Sequence, residues 1–399
     1  MTPDDAPAIV NQVYKKAPLW AQIEKKDVGM YGKRVTIPVQ TAFTEAVGAR
    51  QANTYTLPTA GKNSYDQAYI YMKRNYGRIQ VDGFSIESAQ GKGGWVDIVS
   101  AETKGVSNAF AMDLDRQCMG RGDGVLAHVA SVATEAVTVD NPLGITADTD
   151  NVAKWFRVGQ VLDIYNGSSA VYSAGTALTV SSISGAVVTM TSTAASASDG
   201  HTIRRTYTYG STEAAAGEMM GLDGIIDSAD TDLGDFEGID RAANTCWQAH
   251  ESSTSQVVSE TAIQEELDAI DQRTDGEPVD LILTTYAIRN KLIDIIRADR
   301  QVDTMDLKAG WKAIKYVGGA VGEIPIMVHK NCPLGYMYFI SLPHLKFYTL
   351  KKLVWDNKGG GIVKPVAGYD AYEAWFKMYA NLGCDCPNSM GKLTAVTTS

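Results

Sequence analysis

The sequence predicts an α+β chain of more than one unit, and three observations carry that reading. From Gly94 to Gly124 a helical pattern runs without a proline and stops in a glycine turn. Residues 125–207, rich in Ser, Thr, Ala, Val and Gly, break into short alternating runs. Residues 240–340 alternate helical and strand-like periods. With 399 residues, 45% of them hydrophobic, the chain is long enough for two or three domains.

Residues 6–26 read as an arm. Asp5 caps a short helix through Lys16, and Trp20 and Ile23 follow as apolar anchors that need something to pack on. Arg34 to Val39 alternates as a strand does, with Pro38 suited to an edge. Residues 40–66 are polar and small, and alternation returns at Ala68 to Met72, Ile79 and Val81. Two strands joined by a long hairpin that forms no core alone is the simplest reading. A loop of that length is functional or ordered by a partner.

In the long helical stretch Trp95, Ile98, Val99, Val106, Phe110 and Leu114 recur at three- to four-residue intervals, with a gap at Glu102. Read from Trp95 to Met119, the helix spans roughly 35–40 Å at about 1.5 Å per residue, well beyond a typical globular helix. It runs into Gly120-Arg121-Gly122-Asp123-Gly124, and Met220-Gly221-Leu222-Asp223-Gly224-Ile225-Ile226 echoes that turn about a hundred residues later. The pair predicts one element interrupted by an insertion.

Within the insertion, strands are expected at Phe156-Val158, Gln160 to Tyr165 with a turn at Asn166-Gly167, Leu178 to Ile183, Val187 to Met190 and Thr202 to Tyr207. That spacing favours a small β-barrel or sandwich, with Ala194 to Gly200 as a solvated loop. Beyond it, helices are expected at Thr261 to Gln272 (Ile263, Leu267 and Ile270 inward) and Tyr286 to Ala298 (Ile288, Leu292 and Ile295 inward). Strands are expected at Val279 to Leu283, Ile324 to Val328, Tyr336 to Ile340 and Lys346 to Leu350. A strand–loop–strand follows over Lys351 to Trp355, the loop Asp356 to Gly361, and Ile362 to Val366. Tyr372, Trp375, Phe376, Tyr379 and Leu382 then offer an aromatic packing surface.

Charge is uneven. Residues 1–125 carry a net +2, residues 126–275 a net −16 and residues 276–399 a net +4, giving −10 overall. A protein that grips a polyphosphate shows a basic stripe; this one is acidic in its middle third, so contact with nucleic acid is expected to be that of a container wall. The five cysteines (Cys118, Cys246, Cys332, Cys384, Cys386) form no regular framework and read as reduced thiols, with zinc at Cys384-Asp385-Cys386 the weaker alternative. No apolar run approaches the roughly 20 residues of a membrane helix, and the acidic N-terminus lacks a signal peptide's basic start, so a cytoplasmic product is expected.

Enzyme signatures fail on the same residues. His128, His201, His250, His329 and His344 lie far apart, Gly359-Gly360-Gly361 lacks the Lys-Ser/Thr of a phosphate loop, and no G-x-S-x-G occurs. Glu265-Glu266, Asp268 and Asp271 read as solvent charges on a helix. No catalytic, cofactor-binding or metal residue is assigned, and no cofactor is expected. Arg121-Gly122-Asp123 matches an adhesion tripeptide, but it sits in a turn that needs glycine.

The order of these elements resembles the tailed-bacteriophage major capsid proteins, the Johnson fold: an N-terminal arm, a long extended hairpin, a strand leading into a spine helix, a glycine turn and an axial α/β domain whose chain returns to the first. Arg78-Ile79-Gln80-Val81-Asp82-Gly83-Phe84-Ser85 is similar to the base of the extended loop. Met112 to Gly124 is similar to the spine-helix end, and Gly221-Leu222-Asp223-Gly224-Ile225 to the segment that follows it. Asp280 to Thr285 with Arg289 and Leu292, and Tyr316-Val317-Gly318-Gly319 before Ile324-Pro325-Ile326, are similar to the axial domain.

The resemblance implies an arm at 1–35, an extended hairpin at 36–76, a peripheral domain with spine helix at 77–124, an inserted β-rich domain at 125–219, an axial domain at 220–340 and a return segment at 341–399. It implies a non-enzymatic shell protein that self-assembles as pentamers and hexamers around double-stranded DNA. The expected partners are a portal at one vertex, a separate scaffolding protein (since only about 35 residues precede the first strand) and a decoration protein, with no membrane, and the expected location is the virion. Lys62 and Asn357 stand in segments where some such shells crosslink, though residues 358–366 carry no acid to assist. An encapsulin-like compartment and a β-rich adhesion or carbohydrate-binding protein are the alternatives.

Overall fold

The computed structural model describes residues 18–27, 33–51, 56–84, 94–145, 152–172, 178–274, 276–299, 304–306, 312–318, 322–357 and 361–398. The helix expected from Asp5 to Lys16 and the glycines at 359–360 lie outside them.

In chain order, helix α1 (Pro18–Gln22) leads into β1 (Glu24–Asp27), β2 (Arg34–Ala42), β3 (Ser64–Tyr71) and β4 (Lys73–Asp82), then the long helix α2 (Gly94–Gln117). Next come β5 (Val125–Ala133), β6 (Ala136–Asp140), β7 (Val161–Asn166), β8 (Ser169–Tyr172), β9 (Leu178–Ser184), β10 (Val187–Met190) and β11 (Thr202–Arg205). The short helix α3 (Leu222–Ile225) precedes β12 (His250–Ser252), β13 (Gln256–Val257), α4 (Glu260–Thr274), β14 (Leu281–Thr284) and α5 (Tyr286–Asp299). Then follow β15 (Thr304–Asp306), β16 (Lys312–Val317), β17 (Glu323–Val328), β18 (Met337–Ile340), β19 (Leu345–Trp355), β20 (Lys364–Pro365), β21 (Ala371–Cys384), β22 (Gly391–Leu393) and β23 (Val396–Thr397).

Both ends of the chain build the first sheet. β21 is central: β4 runs antiparallel along it from Ala371↔Asp82 to Ala380↔Lys73, and β19 from Leu345↔Cys384 to Trp355↔Phe376. β1 adds in parallel to β19. Alternation along β4 buries Lys73, Asn75 and Ile79 and exposes Arg74, Tyr76 and Arg78. The inward face meets α2, where Phe110 stands edge-on to Phe376 at 5.0 Å and Phe376 edge-on to Trp355 at 5.3 Å. Gly77 sits opposite: a Cβ there would fall 2.2 Å from the Phe376 ring. Trp20 and Ile23 are buried anchors as expected, with the Trp20 ring 3.9 Å from Phe347.

The expected single strand Lys346 to Leu350 and separate strand from Lys351 are one strand, β19, eased past two register shifts. The helix ends at Gln117 rather than Met119.

Residues 125–205 form a sheet that closes on itself, in the order β11-β5-β6-β10-β9-β7, because β11 also pairs with β7; β8 adds to β7. It has its own core, including Leu126, Val129, Val137, Phe156, Ile164 and Ile203. The chain enters and leaves side by side, with Val125 opposite Arg204. Phe156-Val158 is not a strand: Phe156 follows a short 3₁₀ turn and plugs the core. Nor is Ala194 to Gly200 simply solvated, since Ala194 and Ala197 are buried in that core.

The third sheet, ordered β12-β22-β18-β14-β17-β16-β15, is mixed. On one face Ile282, Ile326 and Phe339 meet Ile263, Leu267 and Ile270 of α4 and Ile288 and Leu292 of α5. On the other, Leu281, Leu283 and Tyr338 join the core shared with α2 and the first sheet, as strand alternation requires.

The glycine turn and its echo meet directly. The Leu222 N–H donates to the Cys118 carbonyl at 2.8 Å, and a Cβ on Gly221 would lie 2.4 Å from the Gln117 carbonyl oxygen. Asp223, fully buried, accepts from Arg121 Nε at 2.6 Å and from the Tyr338 hydroxyl at 2.9 Å, with Lys392 Nζ at 3.4 Å. Burial alone would raise this carboxyl, but Lys392 and Arg121 hold it below the usual carboxylate range. Asp223→Ala takes the bonded carboxylate from Arg121 and leaves the buried Lys392 with Asp227 and Glu251 alone, and is expected to cost about 3 kcal/mol in denaturant unfolding. Because the folded value is depressed, this stability is present above about pH 4 and is lost as pH falls further. Asp223→Asn should therefore flatten the acid limb of the wild-type stability curve.

Candidate assembly surfaces

Strands β2 and β3 pair with each other from Arg34↔Tyr71 to Ala42↔Ser64 and, among the described strands, with no other. The root of this ribbon leans on the main core through Ile37 and Val39. Its far end holds together mostly by itself: the Thr44 N–H donates to Asn63 Oδ1 at 2.9 Å, and Arg50 Nε to the Thr56 carbonyl at 2.9 Å. Yet this polar-looking loop carries four large apolar side chains in water: Phe43 at 86% exposed, Val47 at 86%, Leu57 at 83% and Tyr65 at 66%. Covering one such side chain stabilises by about 1.5–3 kcal/mol. Grouped exposed apolar residues on a projecting element mark a contact surface.

The root is tied down by main-chain bonds. The Tyr69 N–H donates to the Glu237 carbonyl at 2.6 Å, and the Arg34 guanidinium lies 3.8 Å over the Tyr69 ring. Asn381 Nδ2 donates to the Tyr71 carbonyl and Asn381 Oδ1 accepts from the Met220 N–H, both at 2.9 Å. One buried amide thus joins the ribbon, β21 and the Gly221 segment.

Beside the root lies an open recess of about 1050 Å³, with Tyr71, Arg74, Tyr76, Asp113, Arg205 and Tyr207 in its walls. Its acid is committed. Asp113 accepts from Arg116 at 3.1 Å, Arg205 at 2.9 Å and Gln117 at 2.9 Å. Burial would raise the Asp113 carboxyl, but Arg116 and Arg205 hold it low. Arg116 also meets Glu218 at 2.5 Å. These ion pairs fasten the end of α2 to the exit of the closed sheet.

The residues singled out in the sequence stay apart. His329 pairs with Asp115 at 3.0 Å, His250 with Glu266 at 2.7 Å, and His344 lies between Asp385 at 2.7 Å and Glu277 at 3.3 Å. No cluster able to hold a metal occurs among the described residues, and all five cysteines are free thiols. Burial pushes the Cys384 thiol well up. Arg121-Gly122-Asp123 is turned inward: Arg121 is bound to Asp223, and Asp123, 7% exposed, accepts from the Val125 N–H at 3.2 Å. Lys62 and Asn357 are both exposed. The neighbouring acid, Asp356, is pulled down to about 2 by hydrogen bonds from Lys364 and Lys377, which makes it a poor base. No described helix is long and apolar enough to cross a membrane.

No family model and no curated protein sequence matches the chain. Among solved structures, a chain of the Cyanophage A-1(L) capsid asymmetric unit superposes with a TM-score of 0.55 at 12% identity, over 96% of this chain and 93% of that one. The holo-SrpI encapsulin complex from Synechococcus elongatus PCC 7942 gives 0.48 at 7% identity over 96% and 88%. The capsid of a native GTA particle gives 0.48 at 8% identity over 96% and 91%. The first of these carries the assignment: the chain has the α+β fold of phage capsid proteins, and these neighbours are shell proteins rather than enzymes.

Phe43→Ser, Val47→Ser and Leu57→Ser remove exposed groups that hold nothing in the single chain. Each is expected to change unfolding free energy by no more than about 0.5 kcal/mol in a denaturant titration of the unassembled protein.

Proposed function

We propose that this chain is the major capsid protein of a tailed bacteriophage, assembling as pentamers and hexamers into an icosahedral shell around double-stranded DNA. The observation that carries the reading is the ribbon: a capsid-type fold carries an element whose large apolar side chains stand exposed among the described residues. In this reading residues 1–35 are the arm, 36–76 the extended loop, 77–124 the peripheral unit with its spine helix, 125–219 the insertion, 220–340 the axial unit and 341–399 the return. The ribbon lies across a neighbouring subunit and buries Phe43, Val47, Leu57 and Tyr65 there. The axial unit clusters around the five- and six-fold positions.

Modest contacts suffice because they are repeated: each subunit engages several neighbours, and once one contact forms the next is effectively intramolecular. The net charge of −10 suits a wall that encloses DNA without sequence-specific grip. A portal at one vertex, a separate scaffolding protein and a decoration protein complete the proposed set of partners.

Negative-stain electron microscopy of the full chain, expressed with and without its scaffolding partner, tests this. Closed shells, or rings of five and six, are expected, with nuclease-protected DNA in the mature particle. The ribbon triple serine variant should stay folded and fail to close. A uniform small particle under both conditions would sink the proposal, and shells holding only protein cargo would replace its DNA part with the compartment reading.

A further inference from the structure

The ribbon root encloses two acids that shell assembly does not call upon. Glu213 is 5% exposed and Glu237 1%. Glu213 Oε2 accepts from the Glu237 N–H at 2.9 Å, and Glu237 Oε1 accepts from the Cys384 N–H at 3.0 Å. The remaining oxygens, Glu213 Oε1 and Glu237 Oε2, are buried and meet no donor among the described residues. The Glu237 carbonyl in turn receives the Tyr69 N–H of β3. Glu237 itself has a φ of 52°, a left-handed conformation that costs a non-glycine residue about 1 kcal/mol or more and so needs its bonds to hold.

A buried carboxylate oxygen without a donor is expensive, and two in one pocket are not both ionised when the pocket is closed. We propose that Glu213 and Glu237 form a proton-operated latch: the protonated pair holds the ribbon root shut, and loss of the proton frees β3 from residue 237. This concerns the single chain and stands or falls independently of whether the chain forms a shell.

The surrounding charges fit. Lys73 Nζ, from the start of β4, donates to the backbone carbonyls of Glu213 and of Ala216, the latter at 2.9 Å, so one positive charge faces the pair. Arg241, on the turn after Glu237, donates from Nη1 and Nη2 to the carbonyls of Gly224, Ile225 and Ala229, while its buried Nε meets no acceptor among the described residues. From β21 and the residue after it, Cys384 and Asp385 face Glu237, and from β19 so does the Tyr348 phenol, itself pushed up by burial. Burial raises the Glu213 carboxyl to about 7 against the pull of Lys73, and burial with the neighbouring Glu213 raises Glu237 further above its usual value. Both shifts are upward, so the closed root binds protons that the open root releases. Its stability is full below the ordinary carboxylate value near 4.5 and falls as pH rises toward about 7.

Hydrogen exchange of the unassembled full chain reads the latch directly at the Tyr69, Glu237 and Cys384 amides. After correction for intrinsic rates, their protection should fall on the order of twentyfold between pH 5.5 and 7.5. Glu213→Gln and Glu237→Gln should each flatten that dependence, while Glu45→Gln, on the exposed part of the ribbon, should leave it intact. Equal protection at the two pH values in the wild type overturns the proposal, as does a slope that survives both glutamine variants. Should neither variant fold, carboxyl NMR of wild-type protein labelled at glutamate decides: one of the two acids titrating near neutrality supports the latch, and both ionising near 4.5 overturn it.

Discussion

The structure depends on a contact with no side chain between its partners. Gly221 lies against the last turn of α2 so closely that a single carbon at its Cβ position would strike the Gln117 carbonyl. That approach brings Asp223 under Arg121, Tyr338 and Lys392 at once. The turn after the long helix and two strands of the third sheet, β18 and β22, are thereby locked to one buried carboxylate. Move the contact outward by a methyl group and three elements distant in sequence lose their common reference.

Around this point the usual distribution of residue types is partly inverted. Arg116, Arg241 and Lys392 are almost wholly buried, each bonded to carboxylates or carbonyls, while Phe43, Val47 and Leu57 stand in water. Buried ion pairs add little net stability against apolar replacements, but breaking one is costly, so they fix geometry more than they add strength. A subunit whose joints are fixed by charge and whose free surface is apolar is rigid at its root and adhesive at its tip.

Much of this was legible in the sequence. Periodicity located α4 and α5 and their inward residues to within two residues, and the repeated glycine segment disclosed the insertion because close backbone approach leaves a compositional trace. What failed did so for physical reasons. β5, buried at Val125, Leu126, Ala127 and Val129 before alternation sets in, and β6, only five residues long, went unpredicted. The continuity of β19 is interrupted by two register shifts that leave no mark in composition, and Ala194 and Ala197 are too small to announce that they fill a core. The ribbon was found as a long hairpin, but its apolar residues are scattered among threonines and glycines, and only exposure in three dimensions groups them. Glu213 and Glu237 gave no signal at all: they lie 24 residues apart, and nothing in composition distinguishes a buried glutamate from a solvated one.

The first sheet also sets a clock. β4 is complete at Asp82, but its partner β21 begins at Ala371, so the ribosome must add nearly three hundred residues before the two can pair. At about 5–20 residues per second the gap lasts on the order of 15–60 s, during which β4 and the face of α2 wait without their sheet. Such non-local pairing makes for slow folding. It also means that a chain interrupted before residue 371 lacks the central strand of this sheet, so the order in which the polypeptide is made keeps any shortened product from completing it.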